Sequence, residues 1–128
     1  MAGTLTVTRI PKVSGTGRES EIVQIDWLSD SSGNADVSVN LYGFLVKAVT
    51  DPGVAAPTAN YDITIVQNGV DAAAGLLIDR HTTTSEQVYA NVTGAAVPIW
   101  LCGDHTFTVA NAGNAKNGTV YLYLVESL

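Results

Sequence analysis

Alternation with period two dominates the chain. In Glu21-Ile22-Val23-Gln24-Ile25-Asp26-Trp27-Leu28, the apolar Val23, Ile25 and Trp27 share one face and Gln24 and Asp26 the other, the pattern of a half-buried strand. Ser29-Asp30-Ser31-Ser32-Gly33-Asn34-Ala35 then gathers residues that hydrogen-bond their own backbone or accept positive φ, which specifies a turn. Beyond it Val37, Val39 and Leu41 alternate with Ser38, Asn40 and Tyr42, so a hairpin is expected over residues 21–49. Gly43 interrupts the second strand, and Phe44-Leu45-Val46 is apolar without alternation, which marks a bulge or bend. Asp51-Pro52-Gly53 closes it, because proline cannot extend a ladder. After a loop through Pro57 to Asn60, Tyr61, Ile63 and Ile65 alternate with Asp62 and Thr64, up to the tight-turn signal Asn68-Gly69.

Residues 72–80, with three alanines, two leucines and Arg80, have the composition of a short helix, although Gly75 weakens it by about 1 kcal/mol relative to alanine. Strands are expected over Gln87 to Val92 and Val97 to Leu101. The last 24 residues read as a second hairpin, with Phe107 and Val109 facing Val120, Leu122 and Leu124 across the turn Asn111 to Gly118. Tyr121 and Tyr123 fall on the opposite face. The tripeptide Gly-Asn-Ala recurs at 33–35 and 113–115, once in each expected turn, and reads as shared turn chemistry. Seven or eight short strands with frequent turns describe an all-β chain, an antiparallel β-sandwich or small barrel of jelly-roll or immunoglobulin-like type with at most one short helix.

Composition narrows the class. The chain has 128 residues, 46% hydrophobic and 14% charged, which suits one folded domain. A single cysteine, Cys102, excludes an intrachain disulfide framework. No apolar run is long enough for a membrane helix, and the first residues lack the layout of a signal peptide, so neither membrane insertion nor export is expected. The net charge of −6 argues against direct nucleic-acid binding. Charge is unevenly spread: residues 1–18 contain Arg9, Lys12 and Arg18 and no acid, while all twelve acids lie beyond. The division is thus a basic N-terminal arm, 1–18, and a single β domain, 19–128, with the arm's charges suited to an acidic partner surface or a neighbouring subunit.

Candidate chemistry is sparse. Cys102-Gly103-Asp104-His105 brings thiol, carboxylate and imidazole together in sequence, but a structural zinc site needs four ligands and the chain has only three Cys and His residues. On a strand, moreover, Cys102 and Asp104 would face away from His105, and the stretch is expected to turn between two strands. Asp26, Asp30 and Asp36 surround the first turn without the spacing of a calcium loop. Gly15-Thr16-Gly17 lacks the following helix of a phosphate site. No nucleophile elbow is present, so no catalytic residue, metal or cofactor is expected and the chain does not read as an enzyme.

Three stretches carry a resemblance: Ile25-Asp26-Trp27-Leu28-Ser29-Asp30 followed by Gly33 and Ala35; Thr50-Asp51-Pro52-Gly53 leading to Ala56-Pro57-Thr58-Ala59-Asn60-Tyr61-Asp62-Ile63-Thr64; and Asn111-Ala112-Gly113-Asn114-Ala115-Lys116-Asn117-Gly118-Thr119. Over about residues 20 to 124 this layout is similar to small virion structural proteins of tailed bacteriophages, most like head decoration (cement) proteins. It departs from them at Val66-Gln67-Asn68-Gly69-Val70-Asp71, which has less acid than the turn expected there. The resemblance implies a non-enzymatic oligomer, often a trimer, made in the bacterial host cytoplasm, that binds the major capsid protein lattice on the outer surface of the head and stabilises it. Assembly contacts are then expected at Arg9, Lys12, Arg18, Tyr121 and Tyr123. A neck or tail component is the alternative within the virion. A carbohydrate-binding module, using Trp27, Trp100, Tyr121 and Tyr123, is the alternative of another class; both tryptophans lie in apolar strand pattern and are expected to be buried.

Overall fold

The computed structural model describes residues 3–11, 20–68, 72–73, 77–80, 85–89, 91–92, 95–96 and 99–125. The strands are β1 (Thr4–Pro11), β2 (Ser20–Leu28), β3 (Ala35–Pro52), β4 (Tyr61–Gln67), β5 (Ala72–Ala73), β6 (Leu77–Arg80), β7 (Glu86–Tyr89), β8 (Asn91–Val92), β9 (Ala95–Ala96), β10 (Ile99–Ala110) and β11 (Asn117–Val125). All pairings are antiparallel. Nine strands form one sheet in the order β1-β2-β11-β3-β10-β4-β5, with β6 also on β4 and β7 also on β3, while β8 and β9 pair separately.

The 18-residue β3 explains how one sheet makes two layers. Its first half, 35–45, pairs with β10, and its second half, 44–52, pairs with β11. Odd-numbered residues face the core from Ala35 to Leu45, but Ala48 and Thr50 face it afterwards. The parity switches because the ladder to β11 skips Val46: Tyr123 lies opposite Lys47 and Leu124 opposite Leu45. An extra residue in one strand bends it and re-aims its side chains. Three residues earlier Gly43 has φ +129°, a conformation open in practice only to glycine. The strand turns a corner here, so that Ala35 and Pro52 both lie at the same end of the molecule, beside the connection that precedes β11.

One layer therefore comprises β1, β2, β11, the second half of β3 and β7; the other comprises the first half of β3, β10, β4, β5 and β6. Their inward faces share one core. Val23, Ile25, Trp27, Val120, Leu122 and Leu124 come from the first layer and Leu41, Tyr61, Ile63, Ile65, Phe107 and Val109 from the second. The Trp27 and Tyr61 rings meet across the layers at 5.8 Å. β1 closes one side: Arg9 donates to the Asn40 carbonyl, and a Cβ on Gly3 would collide with Asn34 and Ala35. The architecture is the all-β sandwich or small barrel expected from the sequence.

Four local expectations are corrected. Residues 21–28 and 35–49 do not form a hairpin, and neither do the last two strands, because β11 lies between β2 and β3 and β3 lies between β10 and β11. Each six-residue connection, 29–34 and 111–116, arches between layers; alternation specifies which face is buried and not which strand lies alongside. The stretch 72–80 contains β5 and β6 in place of a helix, both on the edge of β4: two turns are too few to nucleate a helix against an available ladder, and residues 74–76 lie outside the described residues. Within the basic arm, residues 4–11 form β1, which pairs with β2 over its whole length. Its own alternation supplies the reason, as Leu5 and Val7 pack against the core. Lastly, Cys102 to His105 lies in mid-strand on β10 and not in a turn.

A Cβ at Gly43 would lie 2.8 Å from the Val125 carbonyl oxygen, whereas at Gly103, φ +106°, it would meet nothing within 4 Å. Positive φ alone costs a non-glycine residue about 1–3 kcal/mol. Chemical denaturation is accordingly expected to show Gly43→Ala losing more stability than Gly103→Ala, and equal losses would mean that the corner is not held by close approach.

Candidate functional site

At the end of the molecule where β3 begins and ends, three connections meet. Ser29 is buried and central: its Oγ donates to Gly113 O at 2.5 Å and accepts from Lys116 N at 2.9 Å, while its own N–H donates to Lys116 O at 2.8 Å. Ala112 N donates to Gly33 O, and Thr58 N donates to Ala112 O. Asn117 joins the loop after β3 through Ala55 N and O and through Gly53 N. Asp30 shapes the first arch by accepting from Ser32 N and Asn34 N. Those N–H donors, Asn34 first, hold its carboxyl below the usual range against a smaller opposing effect of desolvation. Both Gly-Asn-Ala segments lie in this knot, so their recurrence does reflect turn chemistry.

Among the described residues, the expected assembly contacts Arg9, Tyr121 and Tyr123 do not share one face. Arg9 is engaged within the chain, in an ion pair with Glu21 at 2.9 Å and with Asn40 O. Tyr121 and Tyr123 are half-buried on the outer face of β11, with Lys47 Nζ 4.5 Å from the Tyr123 ring centroid. Arg9 lies opposite the inward-facing Val23, and Tyr123 opposite Ile22, so the two start from opposite faces of the layer. Lys12 and Arg18 fall outside the described residues. His105 is buried, as its parity requires, and Cys102 and Asp104 are exposed. Its Nδ1 lies 2.8 Å from Gly103 O; a carbonyl only accepts, so Nδ1 donates there, while the buried Nε2 has no hydrogen-bond partner. Asp26 accepts from Thr119 and Gln24, and among the described residues no three His, Cys, Asp or Glu side chains gather as metal ligands.

Two regions of the outer surface differ in character. A shallow cleft of about 350 Å³ is lined by Thr4, Thr6, Asp26, Leu28, Asn117 and Thr119. At the corner of β3, by contrast, aromatic side chains stand in solvent. Trp100 is 43% and Tyr42 54% exposed, and Trp100 meets Tyr42 at 5.0 Å and Phe44 at 4.8 Å, both edge-on. The burial expected for Trp27 is observed; that expected for Trp100 is not. Its parity was the missed signal, for it falls on the face of Cys102, Asp104 and Thr106, and Tyr42 likewise falls with Ser38 and Asn40.

Two tests address the knot. Ser29→Ala leaves the part-buried Gly113 carbonyl and Lys116 N–H without their partner and is expected to cost about 1 kcal/mol or more in denaturant unfolding, while Ser31→Ala, at an exposed site, stays neutral. Asp30 titrates lower folded than unfolded, so its stabilisation is complete above the ordinary carboxylate range and is lost as pH falls through its depressed value. Asp30→Asn, which keeps the acceptor oxygen, should therefore flatten the fall in melting temperature below about pH 4. No protein-family model matches the chain, and no curated protein is significantly similar to it.

Proposed function

We propose that the protein is a virion structural protein of a tailed bacteriophage, a capsid decoration or cement protein that binds the major capsid protein lattice from outside and stabilises the head. One observation carries the reading. The three stretches that resemble such proteins lie far apart in sequence, yet they converge as one hydrogen-bonded unit around Ser29, Ala112 and Asn117. The residues that carry the resemblance thus lie together in the fold, which supports the reading. A sandwich whose arches cross between layers and bond to one another also suits a reinforcing role, in which many modest contacts add over a lattice.

The proposed partners are the major capsid protein and further copies of the chain, a trimer matching three-fold lattice positions. Since Arg9 is occupied within the chain, Lys12 and Arg18 are the charges of the N-terminal segment proposed to reach a partner, with Tyr121 and Tyr123 as further contacts on the outer face of β11. The test is co-sedimentation with heads assembled from the major capsid protein of the phage that encodes the chain. Binding over the whole shell is expected, with reduced occupancy for Lys12→Glu combined with Arg18→Glu; deletion would remove β1 and confound the result. Failure to bind heads would overturn the proposal, and a single ring at one vertex would assign the protein to the neck or tail.

A further inference from the structure

The exposed aromatic corner is not used by the lattice reading. Trp100 and Phe44 are directly opposite in the β10–β3 ladder, as are Cys102 with Tyr42 and Asp104 with Asn40. Edge contacts hold the three rings without the parallel stacking that would cover them mutually. On the same face, two residues from Tyr42 and so about 7 Å along the strand, Asn40 Nδ2 donates to Asp104 Oδ1 at 3.2 Å. That bond uses one amide hydrogen and one carboxylate oxygen. An apolar ring surface beside a carboxylate and an amide matches the two sides of a pyranose, whose C–H face seeks an aromatic ring and whose hydroxyls both donate and accept.

We propose that this face binds an uncharged oligosaccharide, with Tyr42 and Trp100 as the stacking platform and the Asn40–Asp104 pair as the group that reads hydroxyls. Charge selects among occupants. The first half of β3, β4 and β10 contain no Lys or Arg, Asp36 and Asp104 are exposed there, and Arg9, which reaches the Asn40 carbonyl from β1, is already paired with Glu21, so an anionic glycan, a nucleic acid or an anionic membrane would meet two carboxylates and one cation already neutralised within the chain. A second copy docking by the same face would set these carboxylates against their own counterparts in a chain of net charge −6. A neutral polyhydroxyl chain meets neither penalty. The site is independent of capsid binding and can be read on the isolated protein.

Trp100 is the solvent-facing tryptophan and Trp27 is 3% exposed, so tryptophan emission reports on the site. The full chain is titrated, up to about 10 mM, with neutral hexasaccharides built on glucose, mannose, galactose and N-acetylglucosamine. The expected result is a saturable change in emission for at least one of them. Calorimetry should then show binding weakened by about tenfold or more in Tyr42→Ala and in Trp100→Ala. Asn40→Ala with Asp104→Ala leaves the rings in place and should weaken binding too, so the proposal does not hang on one variant's folding, which circular dichroism checks. Absence of any response across the panel would overturn it, as would binding that survives loss of either ring. A fall in particle mass on Trp100→Ala, read by light scattering with no sugar bound, would make the corner a contact between copies and equally overturn it.

Discussion

The structure depends on one strand belonging to two layers. β3 does so because Val46 is an extra residue in its ladder with β11 and because Gly43 adopts a φ that a side chain would not tolerate against Val125. The bulge reverses which parity faces inward, so that Leu41 and Ala48 enter the same core from its two sides. Without that reversal, the second half of the strand would turn its buried residues to solvent.

Once β3 turns back, the chain must cross between layers at the opposite end, and it does so through residues 29–34, 53–60 and 111–116. Backbone groups that leave a sheet lose their ladder partners and need others. Here they find one another, with the Ser29 hydroxyl serving two of them. The hydrogen-bonding side chains that made these segments look like tight hairpin turns serve instead to join separate loops. The interleaved order β2-β11-β3-β10 follows, and it fixes each arch by the strand it passes.

The same corner that organises the core also shapes the surface. The even-numbered residues of β3 and β10 near Gly43 face outward, which exposes Tyr42 and Trp100 and sets Asn40 against Asp104. Aromatic side chains exposed together on a rigid sheet make a surface suited to recognition, while the outer faces of β2 and β11 beyond it carry the Thr119–Asp26–Gln24 bonds.

Period-two alternation by itself determined the class of fold and most of the core: Val23, Ile25, Trp27, Ile63, Phe107 and Leu122 face inward as their spacing requires, and the irregular run after Gly43 marked the corner. It did not determine which strands are neighbours, because alternation is a property of one strand against a core and pairing is a property of two strands distant in sequence. Hence both expected hairpins gave way to arches, and residues 72–73 and 77–80 took the partner that β4 offered. The exposed site was hidden for a related reason. An apolar tryptophan looks buried in a one-dimensional pattern; its parity with Asp104 already pointed outward, and the register then set its ring beside Tyr42 and Phe44.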